Sequence, residues 1–276
     1  MSFQYKRSYC GPVRGVIFDW AGTTVDYGCF APTVVFIEIF KRFGVEISVA
    51  EARAPMGGGK RDHLREILMM DAVAGRWQQA HGARPDEKDV DAMFAQFVPA
   101  QIEAVARHAD LIPGALESWA WLREQDLRIG STTGYSSDIM QALLKPVADQ
   151  GLVPDCLVCA DQVPAGRPAP WMCFENARRL GIYPMAALVK VGDTAPDITE
   201  GLNAGMWTVG VVVTGNEMGL TEAEVKALTP EAHQQRRDVA AARLAQAGAH
   251  YIIDGIADLP PVIEEIQARL KVGDQP

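Results

Sequence analysis

The sequence predicts an α/β fold built on a parallel sheet, and three observations carry the prediction. From Val13 onward short apolar runs alternate with longer amphipathic segments, the pattern of strands joined by helical crossovers. Several of the runs break directly into turns rich in Gly, Thr, Ser or Asp, as parallel strands do at their C-terminal edge. Between the first two runs lie roughly a hundred residues with no convincing strand, far more than a crossover needs, which predicts an inserted helical unit.

Strands are expected at 13–18, 128–132, 156–159, 188–191, 208–213 and 251–253. Helices are expected at 170–180 and 197–204, each followed by a stopping glycine, Gly181 and Gly205, because glycine takes the left-handed conformation that ends a helix. Within the insert, helices are expected at 32–43, 48–54, 60–70, 73–80 and 86–108. Ser48 and Glu51 have the spacing of a capping box, and Val34, Val35, Ile37, Ile39, Phe40 and Phe43 form a broad apolar face for packing. The domain expectation is a core of 1–27 and 110–276 with a helical cap at 28–109, hinged near 27–32 and 110–114. The segment 217–247 reads as charged helices without an assigned role.

The chain of 276 residues is 48% hydrophobic, enough to bury a substantial core. A net charge of −9 disfavours a broad nucleic-acid face, while leaving room for a local basic pocket. No apolar run approaches the ~20 residues of a membrane span, and the polar opening Met1 to Ser8 lacks the apolar stretch of a secretory signal. A cytoplasmic location is therefore expected. The five cysteines are odd in number and scattered, which predicts reduced thiols. Cys156 and Cys159 have CxxC spacing but lie on an expected strand, where residues three apart face opposite sides.

Four strand ends carry chemistry. Asp19 leaves the first strand into Trp20-Ala21-Gly22-Thr23-Thr24, a turn whose backbone N–H groups suit an anion while the carboxylate suits a cation or an electrophile. Asp193 leaves the fourth strand in Val191-Gly192-Asp193-Thr194-Ala195-Pro196-Asp197. Parallel strand ends share an edge, so Asp19 and Asp193 can converge on one cation, and oxygen donors favour Mg²⁺. Asp197, one helical turn on, can orient that pair. The second strand ends in Ser131-Thr132-Thr133-Gly134-Tyr135, suited to phosphate oxygens. After the third, Val163-Pro164-Ala165-Gly166-Arg167-Pro168 supplies a cation that can neutralise phosphoryl charge. Each feature alone is more simply a helix cap or a solvated loop; their recurrence at successive strand ends is what points to chemistry.

In order along the chain, this set resembles the haloacid dehalogenase superfamily. The resemblance implies a Rossmann-like core with a mobile helical cap, Asp19 as the nucleophile that becomes an aspartyl phosphate, and Mg²⁺ held by Asp19, Asp193 and the Ala21 carbonyl. It also implies that Thr133, Gly134 and Arg167 hold the phosphoryl oxygens. Ala21 departs from the superfamily pattern, which usually places a second Asp there as general acid and base. A phosphate-ester hydrolase without it forfeits ~10²–10⁴-fold in rate.

The insert supplies another means of activating a leaving group in Pro55-Met56-Gly57-Gly58-Gly59-Lys60-Arg61-Asp62-His63, a glycine run that opens a helix on a lysine. An amine there can form an imine if its charged form is disfavoured, and Arg61, the helix N-terminus and a closed cap are expected to do this. His63, one turn on, can move protons. Together with Phe18 to Pro32, Gly130 to Tyr135 and Val163 to Pro168, this segment resembles the phosphonatase family, the phosphonoacetaldehyde hydrolases, over nearly the whole chain. Gly58 and Gly59 stand where bulkier residues are expected in that family.

The resemblance implies hydrolysis of the phosphorus–carbon bond of phosphonoacetaldehyde to acetaldehyde and phosphate, through an imine on Lys60 and an aspartyl phosphate on Asp19. His63 would assist the proton transfers, Cys29, Met56 and Tyr135 would line the pocket around the imine, and the enzyme would be a homodimer. The alternatives are a Mg²⁺-dependent phosphate-ester phosphatase or phosphomutase and, from a different class, a silent phosphate-binding scaffold.

Overall fold

The computed structural model describes residues 8–276; the opening Met1 to Arg7, most of the segment on which the expectation about export rests, lies outside them. Six parallel strands form one sheet in the order β3-β2-β1-β4-β5-β6. They are β1 (Gly15–Phe18), β2 (Arg128–Thr133), β3 (Cys156–Cys159), β4 (Leu188–Gly192), β5 (Trp207–Val211) and β6 (Tyr251–Ile253). All six expected strands are present, with ends shifted by at most two residues, as fraying and local hydrogen bonding allow.

Alternation along the strands divides the core. Val16 and Phe18 of β1 join the apolar layer beneath α6 (Ala115–Glu124), α7 (Ser137–Asp149) and α12 (Leu259–Lys271). Ile17 points into the opposite layer, with Cys173 and Ala177 of α8 (Trp171–Leu180) and Ala204 beyond α9 (Ala195–Asn203). Cys156 and Cys159 likewise enter different clusters, as strand geometry requires of residues three apart. Two helices, α10 (Glu222–Ala227) and α11 (Pro230–Gln246), occupy the charged segment before β6.

Five helices come between β1 and α6: α1 (Phe30–Arg42), α2 (Val49–Arg53), α3 (Lys60–Met69), α4 (Asp71–His81) and α5 (Glu87–Arg107). The Ser48/Glu51 capping box is formed, and Asp86 caps α5 in the same way. Phe36, Ile39, Phe40, Leu64, Ile67, Leu68, Trp77, Met93 and Phe97 build an apolar centre separate from that of the sheet. Among the described residues no helix is long and apolar enough to cross a membrane.

Both chain crossings into the insert run side by side. Asp26 N–H donates to the Asp110 carbonyl at 3.1 Å, and Val25 and Leu111 form an antiparallel bridge. The insert also touches the sheet edge directly. Arg53 Nη1 donates to Asn216 Oδ1 at 3.0 Å, and Arg167 Nη1 to the Gly57 carbonyl at 3.3 Å. The insert therefore lies closed over the C-terminal ends of the strands.

Candidate active site

Asp19 follows β1 and Asp193 follows β4, and these two strands are neighbours at the centre of the sheet. Chain connections leave β1 and β4 toward opposite sides of the sheet, which opens a crevice at their C-terminal ends, the usual ligand position in such folds. A cleft of about 300 Å³ including its open mouth occupies it, lined by Asp19, Ala21, Cys29, Met56, Lys60, Thr133, Gly134, Tyr135, Arg167 and Asp193. All ten were singled out from the sequence. Pro32, Gly57 and Thr194 complete the lining. His63 and Asp197 lie outside it.

Two glycines make the convergence possible. Gly22 has φ +87°, and a Cβ there would fall 2.2 Å from Asp193 Oδ2; Gly57 has φ +104°, and its Cβ would fall 2.2 Å from Thr194 Oγ1. Side chains are strained at such angles, and here the space is also taken. The first glycine admits the Asp193 carboxylate to the β1 turn, and the second lets the insert's loop descend onto the turn after β4.

Asp19, Asp193 and Asp197 each present a carboxylate oxygen, all within 4.8 Å of one another. Asp197 is otherwise engaged: Oδ1 pairs with Lys190 Nζ at 2.6 Å and Arg167 Nη1 at 3.0 Å, while Oδ2 accepts from the Thr194 hydroxyl and N–H. Asp193 accepts from Thr23 Oγ1 and the Asn216 N–H. Burial, followed by the charges of Asp19 and Asp197, raises the Asp193 carboxyl well above its ordinary range, an imbalance a bound cation would reverse. The Ala21 carbonyl accepts none of the hydrogen bonds that close its turn. Asp19 and Asp193 can therefore present oxygens to a hard cation, with Asp197 fixing its neighbours, and Ala21, whose carbonyl the family resemblance implies as a further ligand, lines the same cleft.

Arg167 is 7% exposed. Nη2 pairs with Asp19 Oδ1 at 2.7 Å and also donates to Thr132, Nη1 reaches Asp197, and Nε donates to Glu200 Oε2 at 3.0 Å. Burial raises the Asp19 carboxyl and Arg167 pulls it back, with a net upward shift. Lys190, Asp197 and Glu200 extend the cluster beneath the cleft, with Lys190 Nζ 3.6 Å from Glu200. Asp197 is held below its ordinary range despite burial, because Arg167 and Lys190 attract its charge. Removing one partner from a buried ion cluster leaves uncompensated charge. Asp197→Ala is thus expected to cost roughly 3–5 kcal/mol of unfolding free energy, read as a shift in the urea midpoint at constant slope.

Lys60 opens α3 and is 8% exposed. Among the described residues its Nζ makes no ion pair or hydrogen bond; it lies 5.1 Å from the Tyr135 ring centre and 5.9 Å from that of Phe36. Burial pushes the amine below its ordinary pKa, with Arg167 acting in the same direction against Cys29, Asp19 and Asp193. The expected contribution of Arg61 is corrected here. Arg61 turns to the surface, pairing with Asp91 at 2.6 Å and Glu87 at 2.9 Å, because consecutive helical residues point about 100° apart. The nearby cation is Arg167.

His63 is buried behind Lys60. Its Nε2 is 2.8 Å from the Ala52 carbonyl, to which it donates, its ring lies 3.8 Å from that of Phe36, and Nδ1 has no partner among the described residues. Burial, then the Lys60 charge, pushes its pKa well below the ordinary imidazole value, so the ring is neutral. Cys29 and Tyr135 are raised well above their ordinary values, chiefly by burial, and the Tyr135 hydroxyl has no hydrogen-bond partner among the described residues. Thr133 Oγ1 accepts from the Tyr135 N–H at 3.1 Å, shaping the turn after β2.

Residues 13–205 match the family model described as haloacid dehalogenase-like hydrolase. A phosphonoacetaldehyde hydrolase-like protein of Syntrophobacter fumaroxidans is 52% identical over 275 residues, covering 99% of each chain. A phosphonoacetaldehyde hydrolase of Nitratidesulfovibrio vulgaris is 50% identical, over 99% of this chain and 98% of its own. Among solved structures, a phosphonoacetaldehyde hydrolase-like protein from Oleispira antarctica superposes with a TM-score of 0.98 at 40% identity over the whole of both chains. The chain belongs to the haloacid dehalogenase-like hydrolases and, within them, to the phosphonoacetaldehyde hydrolase family.

Proposed function

We propose that this protein hydrolyses the phosphorus–carbon bond of phosphonoacetaldehyde, giving acetaldehyde and inorganic phosphate. The observation that carries the reading is the shared cleft, in which an unpaired, buried lysine amine from the insert and an aspartate carboxylate from the sheet edge both line one small space. A carbon leaving group cannot be released by protonating an oxygen. It departs as a carbanion equivalent and needs an electron sink, which an imine provides.

Lys60 Nζ, favoured as the free amine by its burial, adds to the aldehyde carbon and water is lost. Asp19 then attacks phosphorus, and the electron pair of the breaking bond enters the imine as an enamine. Protonation and hydrolysis of that enamine release acetaldehyde, and water frees phosphate from the aspartyl phosphate. A Mg²⁺ ion on Asp19, Asp193 and the Ala21 carbonyl would neutralise phosphoryl charge. Arg167, now paired with Asp19, would share its N–H groups with the phosphoryl oxygens, and the Thr133 and Gly134 turn would hold the others. Cys29, Met56 and Tyr135 keep water from the amine. His63 serves in this reading through Nδ1, the one ring atom not already bonded.

Ala21 agrees with this chemistry, since no leaving oxygen needs a proton. The reading includes a cap at 28–109 that opens to admit substrate and a homodimer, as the family resemblance implies, and the cytoplasmic location expected from the sequence. With Mg²⁺ present, acetaldehyde and phosphate are expected in equal amounts from phosphonoacetaldehyde, and chelation of the metal is expected to stop both. Faster turnover of simple phosphate esters than of the phosphonate would replace this reading with that of a phosphatase or phosphomutase.

A further inference from the structure

Of the three glycines before Lys60, only Gly57 has a left-handed backbone and no room for a side chain. Gly59 caps α3 at φ −61° and ψ 140°, a conformation open to any residue. A Cβ at Gly58 would meet nothing within 4 Å, and one at Gly59 only Asp62 Oδ2 at 3.8 Å. Neither glycine is required by the loop, and what their small size leaves is space.

Gly59 borders a second cavity of about 470 Å³ including its mouth, which shares Lys60 and Gly134 with the catalytic cleft. Phe94, Ile139 and Ala160 give it apolar wall, and Arg61, Asp62 and Asp161 also line it. Ser136 also lines it, and the buried Ser136 Oγ has no hydrogen-bond partner among the described residues. Of the residues of the phosphoryl end, Gly134 borders this cavity, while Asp19, Arg167, Thr133 and Asp193 do not. It meets the cleft at Lys60, the residue that would bind the carbonyl carbon, and at Gly134.

Resting on the proposed P–C cleavage, we infer that the substrate site continues past Lys60 into this cavity and accepts 2-oxoalkyl phosphonates, ketones whose carbonyl carbon bears a short alkyl or hydroxyalkyl group. The chemistry balances as for the aldehyde. Lys60 Nζ bonds to the ketone carbon with loss of water, and Asp19 bonds to phosphorus as the P–C pair forms the enamine. A proton is then added at the former CH₂ carbon, and two waters release the ketone and phosphate. The alkyl group lies against Phe94 and Ile139, and a hydroxyl on it meets Ser136 Oγ.

The test measures kcat/KM of the full chain with Mg²⁺ for phosphonoacetaldehyde and 2-oxopropylphosphonate, following phosphate and acetone. The unmodified protein is expected to cleave both. Gly59→Leu, which fills the cavity from the loop, is expected to lower the ketone-to-aldehyde ratio about tenfold or more, the scale of a steric change in an apolar pocket. Phe94→Trp, which fills it from its apolar wall, is expected to lower the same ratio and serves if the first variant does not fold. Cleavage of the aldehyde without the ketone, or a ratio unmoved by both substitutions, overturns the extended site while leaving the P–C reading standing. Cleavage of neither compound overturns both.

Discussion

Lys60→Arg is expected to abolish release of acetaldehyde and phosphate, lowering kcat/KM by roughly 10⁴-fold or more, the scale on which covalent nucleophiles matter. Arginine keeps the positive charge and the helix propensity of the first position of α3, so the helix should persist. It cannot form an imine, because the guanidinium stays charged and delocalised. Lys60→Met separates charge from chemistry: it fills the apolar slot beside Phe36 and Tyr135 and should be equally inactive. Borohydride added with substrate should fix an adduct on Lys60 in the parent chain and none in either variant. The pH profile gives an independent check. Burial lowers the Lys60 pKa, so activity should rise with pH through a value below lysine's ordinary ~10.4. A folded Lys60→Arg protein that still cleaves the phosphonate would end the imine mechanism.

The catalytic edge was legible in the sequence because a parallel sheet turns chain order into spatial order. Once 13–18 and 188–191 read as parallel strands of one sheet, Asp19 and Asp193 had to emerge on the same edge, and Thr133 and Arg167 followed from the same rule. Lys60 became visible through an absence, since Ala21 removes the group an ester hydrolase would need. Less legible was the charged floor of the site. Lys190 interrupts an apolar strand and Glu200 sits mid-helix, and neither pattern shows that both are fully buried. Their partners lie far along the chain, Arg167 being 33 residues from Glu200 and Thr132 being 68, and no periodicity reports such pairings. The glycine run was similarly opaque. Three identical letters conceal one backbone requirement at Gly57 and two open positions, a distinction set by where Thr194 lies. Arg61 misled for a related reason: adjacency in sequence to Lys60 is not adjacency on a helix.

Asp19→Asn is expected to remove turnover as completely as the loss of Lys60, but to interrupt the reaction at a different step. The substituted amide can still accept from Arg167 Nη2, which now lies 2.7 Å from Asp19 Oδ1, so the cleft should keep its shape; it cannot donate an electron pair to phosphorus as a carboxylate does. Loss of turnover by roughly 10⁴-fold or more is expected. Imine formation needs only the amine and the aldehyde, so borohydride trapping on Lys60 should survive in this variant, now without release of phosphate. Stability supplies a control of definite sign. The Asp19 pKa is raised in the folded protein, mainly by burial, so its ionised form is disfavoured by folding at neutral pH, and the cost fades as pH falls toward the ordinary value. The neutral amide should therefore leave the unfolding midpoint at pH 7 no lower than in the parent chain. An Asp19→Asn protein that folds and traps substrate but still releases phosphate would show that phosphorus is attacked by something other than this carboxylate. One that folds but no longer traps would show that the amine depends on the Asp19 charge, and the separation of the two half-reactions would fail.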